Sequence, residues 1–225
     1  GGMPLAECYL RTGDPKILAN IQQWVDNAAK SQHNDAWAGR GSALTSYGKG
    51  HLNAAGTHVV TFLMLAKECG AKVPDHMFNG ALRHFFRYAG RGNNPYGDDR
   101  PEVGFVDNGK NGKLAFAMAA AAALTLDGEN SLYAQARDVC AIQSFYTTSF
   151  MLHGHTGGGI GEIWRSAAMG LMHEKKPKQY RDFMDSRKWH YDLSRRFDGS
   201  FGILGGSGYD KEQWGVAYPL TYTIP

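Results

Sequence analysis

The sequence predicts an all-α fold, an α/α toroid built as a ring or partial ring of about four helical hairpins. Three observations carry this. Apolar residues recur at helical spacing, helices that are apolar nearly all round alternate with amphipathic ones, and glycine-rich loops precede the apolar helices at a regular interval. Gly50, Gly109 and Gly159 stand 59 and 50 residues apart, with Gly208 another 49 on. A period of this length holding two helices is what stacked hairpins produce. If the stack closes, its glycine-rich loops gather at one end and form a mouth.

The chain reads as a single toroid domain over residues 1–225, a fragment or partial ring, with residues 1–13 as an irregular N-terminal segment. Asp14 is placed to cap a helix that has Pro15 in its first turn and Ile17, Leu18, Ile21, Trp24, Val25, Ala28 and Ala29 on one face. Leu52 to Cys69 follows, apolar nearly all round from Val59 to Ala66 and ended by Gly70. Asp75 to Ala89 is an outer-type helix. Met77, Phe78, Ala81, Leu82, Phe85 and Phe86 form its apolar face, and Arg83, His84 and Arg87 are assigned to solvent. Leu114 to Leu124, with seven alanines, is an inner helix again. An outer helix is expected from Ser131 to Ser144, and an inner one from Ile160 to Met172 with the small residues Gly161, Ala167, Ala168 and Gly170. The last helix runs from Gln179 to Arg196, before a small β-turn near residues 198–204.

Composition narrows the function classes. With 225 residues, 43% hydrophobic and 20% charged, the chain is an ordinary globular one, and its 29 glycines, roughly twice the usual share, read as repeated loop chemistry. A net charge of +3 without a basic block excludes a nucleic-acid binder. Cys8, Cys69 and Cys140 are too few and too far apart for a disulfide scaffold or a structural zinc site. Leu114 to Leu124 falls short of the roughly 20 residues of a membrane span. No leader is evident, and Gly1-Gly2-Met3 fits either a tag remnant or a cut inside a longer chain, so the compartment stays open, a secreted or periplasmic one included.

Several segments carry a family resemblance: Gly50-His51-Leu52-Asn53 through Leu65-Ala66-Lys67-Glu68-Cys69-Gly70; Pro95-Tyr96-Gly97-Asp98-Asp99-Arg100-Pro101 with Gly109-Lys110-Asn111-Gly112; Gly154-His155-Thr156-Gly157; and Arg195-Arg196-Phe197-Asp198-Gly199-Ser200-Phe201. Together they resemble an uncharacterised bacterial family that is similar to the terpenoid-cyclase and protein-prenyltransferase toroids and often carries a PDZ-like domain. The resemblance implies the toroid fold and no particular activity. Cation cyclisation is disfavoured, because Gly97-Asp98-Asp99-Arg100 lacks the first aspartate of the Asp-x-Asp-Asp acid that such cyclases are expected to show. Prenyltransferase-like zinc is disfavoured because no cysteine stands beside a loop histidine. Glycan-cleaving toroids use carboxylates, or tyrosine, histidine and arginine, projected from inner-helix starts, and this chain has those residue types.

Glu162, in the first turn of a predicted inner helix, has two readings: a cap that satisfies backbone donors, or a general acid or base facing the mouth, with Trp164 as a sugar platform and Arg165 beside it. Asp107, before Asn108-Gly109, is either a turn residue or the second carboxylate of a glycosidase pair. His153 and His155 are read as structural, as a base or substrate contact, or as weak metal-ligand candidates that would need His51 or Asp107 as a third donor. Tyr47, His51 and Arg165, with Lys49 and Lys110, have the chemistry of a β-elimination on an acidic polysaccharide. Lys110 and Asn111 add polar contacts at the same mouth.

The expected function is therefore a carbohydrate-active enzyme, a polysaccharide hydrolase or lyase. Its catalytic candidates are Glu162, Asp107, His155 and His51, and its substrate-binding candidates are Tyr47, Trp164, Arg165, Lys110 and Asn111. The alternatives are a non-catalytic glycan- or peptide-binding scaffold and a His-ligated metalloenzyme. No cofactor is expected. The expected partner is a glycan or other polymer, and a homodimer or further domains would complete the ring.

Overall fold

The computed structural model describes residues 1–38, 50–95, 97, 100–101, 110–146 and 161–202, with the side chains at 146, 161–163 and 190 outside that description. Among the described residues the chain is all-α. Its helices are α1 (Gly2–Thr12), α2 (Pro15–Ser31), α3 (Asn53–Glu68), α4 (Asp75–Phe86), α5 (Lys110–Ala123), α6 (Leu132–Tyr146), α7 (Gly161–Gly170) and α8 (Pro177–Ser194). The alternate helices α1, α3, α5 and α7 lie against one another in chain order, and each also touches the helix that follows it. This is a row of four hairpins with α1, α3, α5 and α7 as its inner members.

The segment read as irregular is a helix, and this corrects the sequence reading. Nothing local marks α1: it has no side-chain cap and opens on glycine. Tertiary contact holds it instead. Ala6 is fully buried in the core, and Gly2 lies so close to the Phe62 ring of α3 that an added Cβ would fall 2.6 to 2.8 Å from ring carbons. Gly13 ends the helix in the left-handed conformation, its N–H donating to the Tyr9 carbonyl at 2.7 Å. The cap expected for α2 is present, with the Asp14 carboxylate accepting from the Lys16 N–H at 2.9 Å.

Helix α3 is buried on most sides, as its composition predicts, and its two threonines are satisfied within the helix: Thr57 donates to the Asn53 carbonyl and Thr61 to that of Thr57. In α4, His84 is buried rather than solvent-facing. Helical spacing puts it on the face of Met77, Ala81 and Tyr88, all buried, while Arg83 and Arg87 are exposed. Helix α5 begins at Lys110, four residues before the expected Leu114, because its polar first turn conceals the helical pattern. The expected β-turn is centred on 196–200, where the Arg196 N–H donates to the Ser200 carbonyl at 2.7 Å and Asp198 accepts from the Ser200 N–H at 2.9 Å.

Glycine does more than build loops. Gly112 in α5 faces the backbone of α7, where a Cβ would collide with the Trp164 carbonyl oxygen and lie 2.7 Å from the Trp164 carbonyl carbon. Gly56 in α3 meets the Phe85 ring of α4 in the same way. With Ala115, Ala117, Ala121 and Ala122 buried along α5, this lets three helices close on a thin central one.

On the outer side, Arg137 of α6 binds Glu129 with two nitrogens and Asp138 with a third, and Lys175, after α7, reaches Asp138 at 2.7 Å. Hydrogen bonds from Arg137 hold the Glu129 carboxyl down at about 2, with Lys175 adding to the effect. At Asp138, burial works upward, but hydrogen bonds from Arg137 and Lys175 outweigh it and the carboxyl is lowered.

Two outcomes are expected. Gly112→Ala drives a Cβ into backbone and lowers stability by about 3 kcal/mol, whereas Ala123→Gly in the exposed last turn of α5 costs about 1 kcal/mol, both measured by denaturant unfolding. Glu129 binds its proton at lower pH folded than unfolded, so its contribution is complete above about 4.5 and is lost as pH falls from there to about 2. Glu129→Gln should therefore flatten the loss of melting temperature across that window.

Candidate functional site

At the start of α3, the buried His51 donates from Nε2 to the His33 carbonyl at 2.7 Å. His33 begins a two-residue turn through Asn34 and Asp35, both at positive φ, which pairs back at Ala36. Asn53 donates to the Gly97 carbonyl at 2.8 Å, and its Oδ1 lies 3.5 Å from His84 Nε2. The rings of His33, His51 and His84 are stacked edge to face, 5.8 and 5.4 Å apart. One ring nitrogen of His51, a catalytic candidate in the sequence, is thus used to pin the 33–36 turn to α3.

The start of α5 is tied down by amides. Asn111 accepts from the Asn94 N–H at 2.9 Å and donates to Asn93 Oδ1 at 3.1 Å, and Gln143 of α6 donates to that same oxygen at 3.1 Å. Asn111, Lys110 and Lys113 are all buried. Lys110 and Asn111, substrate-binding candidates in the sequence, stand in the first turn of a packed helix. Among the described residues the buried side-chain amide of Asn94 has no hydrogen-bond partner, a costly arrangement.

A third cluster spans the inner row. His58 of α3, Phe116 of α5 and Trp164 of α7 are partly exposed residues of three adjacent helices. The Trp164 ring lies 4.8 Å from His58 and 5.4 Å from Phe116, each at a steep angle. Neither nitrogen of His58 has a hydrogen-bond partner among the described residues. Burial, with the charge of Lys113 and then the amino terminus adding to it, lowers His58 to about 4, so its imidazole is neutral at pH 7. A neutral imidazole both donates and accepts a hydrogen bond, and at such a low pKa it is a weak base.

Of the sequence candidates, Trp164 joins this cluster, and Arg165, the next residue of α7, is fully buried. Glu162 lies in the first turn of α7, with its side chain outside the described residues, and Tyr47, Asp107, His153 and His155 also lie outside them. His58 escaped the sequence reading. The available signal was that it is the one ionisable residue between Asn53 and Ala66 in an otherwise buried helix. Among the described residues, no three His, Cys, Asp or Glu side chains are arranged to hold a metal ion, and no helix is long and apolar enough to cross a membrane.

Fold and site together define a helical-hairpin protein with an aromatic and imidazole surface on its inner row. The chain belongs to the family described as Domain of unknown function (DUF6288), which matches residues 1–225. No curated protein and no solved structure matches it.

An NMR titration of the histidines should find His58 protonating near pH 4, well below the ordinary 6.5. The unfolded chain takes up this proton more readily, so stability should fall as pH drops from about 6.5 to about 4. In His58→Gln that part of the pH dependence should disappear.

Proposed function

We propose that the chain is a carbohydrate-active enzyme whose hairpins form part of an α/α toroid, with the glycan lying along the inner row. The carrying observation is Trp164: a partly exposed indole packed at steep angles between His58 and Phe116, on a helix fixed against α5 by direct backbone contact. Such a ring offers a rigid apolar face to the C–H side of a sugar at little entropic cost. Glu162 stands in the first turn of the same helix, two residues earlier. Unpaired backbone N–H groups and the helix dipole there favour the ionised carboxylate, which suits a base or nucleophile better than an acid. The acid would come from the loop that carries Asp107, as two-carboxylate glycoside hydrolysis requires.

One observation favours a second reading, glycan binding without turnover. His58, the ionisable group beside Trp164, is too weak a base at neutral pH to activate water or remove a sugar proton. Catalysis then rests on Glu162 alone among the helix-borne groups.

On a broad glycan panel, Trp164→Ala should weaken binding about tenfold or more while the melting curve stays cooperative. Glu162→Gln should abolish turnover with binding retained. Turnover undiminished in Glu162→Gln rejects the catalytic assignment, and binding without turnover in the unaltered chain selects the second reading. Unchanged glycan affinity in Trp164→Ala rejects both.

A further inference from the structure

A pocket of about 250 Å³ lies where the last turn of α4 meets the α5–α6 connection and the first turn of α6. It is remote from the surface at Trp164. Its Thr125 wall and the Gly112 contact with Trp164 stand at opposite ends of α5, about 20 Å apart at the helical rise. Leu82, Phe86, Leu132 and Tyr133 form its apolar side, with the Phe86 and Tyr133 rings packed edge to face at 5.6 Å. The rest of the lining is polar. Arg83 and Asp127 are exposed there, and among the described residues neither side chain has an ion pair or hydrogen bond, with the other or with any third group. Nearby charges do not serve them, since Glu129 and Arg137 bind each other through two hydrogen bonds. Ser131 Oγ caps α6 by accepting the Ala134 N–H at 3.1 Å, which leaves its O–H to donate. Thr125 donates to the Ala122 carbonyl at 2.9 Å, which leaves its oxygen to accept. The Tyr133 hydroxyl, also without a partner among the described residues, serves either way.

These groups select a ligand by charge. A carboxylic acid alone would pair with Arg83 but set a second anion beside Asp127, and an amine alone would set a second cation beside Arg83. A neutral apolar molecule would cover both charged groups and pair with neither. A molecule with a carboxylate and an ammonium on one carbon, and an apolar side chain on the same carbon, answers each group on the wall. We infer that this pocket binds a free α-amino acid with an apolar or aromatic side chain. Its carboxylate lies on Arg83 and Ser131, its ammonium on Asp127 and Thr125, and its side chain against Phe86 and Tyr133. The inference is independent of the glycan reading, because the two sites share no residue. The open rim screens both ion pairs, so the affinity is modest, on the order of 1 mM.

The test follows the Tyr133 and Arg83 side-chain NMR signals of the full chain during titration with L-phenylalanine and L-leucine. Three further probes separate the contributions: hydrocinnamate lacks the ammonium, phenethylamine lacks the carboxylate, and glucose is a neutral polar molecule. Both amino acids should move these signals and saturate below about 10 mM, and hydrocinnamate and phenethylamine should bind about fivefold more weakly. Arg83→Gln should erase the advantage of phenylalanine over phenethylamine, and Asp127→Asn its advantage over hydrocinnamate. Both positions are exposed, so the melting curve should stay in place in either variant. Equal binding of the three phenyl compounds, tighter binding of glucose, or an advantage that survives in both variants overturns the inference. So does failure of both amino acids to saturate, or saturation that leaves the Tyr133 and Arg83 signals unmoved.

Discussion

The close approach of α5 to α7 at Gly112 is the constraint on which the rest of the structure depends. A backbone-to-backbone contact fixes the spacing of two helices far more tightly than interleaved side chains do, because no rotamer can absorb an error. With Gly112 against the Trp164 carbonyl, the axial position of α7 relative to α5 is set, and the alanines farther along α5 let α3 and α6 close on its other sides. One thin helix thereby organises three neighbours. Glycine also makes room for aromatic rings, at Gly2 against Phe62 and Gly56 against Phe85, so the glycine surplus serves packing as well as turns.

Close packing at helix starts has a polar consequence. The first turn of an inner helix brings backbone N–H groups and polar side chains into a region with little water, and each needs a partner. The chain meets this with short-range ties. Asn53 holds the Gly97 carbonyl, Asn111 holds Asn94 and Asn93, and His51 holds the His33 carbonyl. Residues that resemble catalytic or substrate-binding groups in sequence thus hold the loops in place. The surface available for recognition shifts about a turn along the helices, to His58, Phe116 and Trp164, where the inner row is partly open.

That shift explains what could be read from the sequence. Helices α2, α3, α4, α6, α7 and α8 announce themselves by apolar spacing, by Asp14 with Pro15, and by a terminal glycine such as Gly70, all local signals. Helix α1 does not, because its stability comes from Phe62 and the core across the row rather than from its own pattern. His84 reads as solvent-facing for a related reason: its neighbours Arg83 and Arg87 make the segment look solvated, while the 77, 81, 84, 88 spacing places it inward. In the site, Trp164 could be picked out as an aromatic just inside an inner helix. His58 could not be paired with it, because they are 106 residues apart in sequence and meet only through the α3–α5–α7 row.

The electrostatics of the row follow from the same geometry. Lys113 stands one residue past the Gly112 contact, buried in the first turn of α5, and its charge reaches His58 on α3. Burial alone would make His58 a reluctant base, and a nearby ammonium makes protonation harder still. The imidazole therefore keeps one charge state over the ordinary range of pH, and with it a fixed capacity to donate one hydrogen bond and accept another. A group of constant protonation is poorly suited to shuttling protons and well suited to reading a neutral hydroxyl. On the proposed reading, acid–base chemistry would fall instead to carboxylates such as Glu162 at a helix start, where the helix dipole favours the ionised form. On the proposed glycan reading, recognition and reaction would meet in the first turns of α7, where Trp164 stands two residues past Glu162.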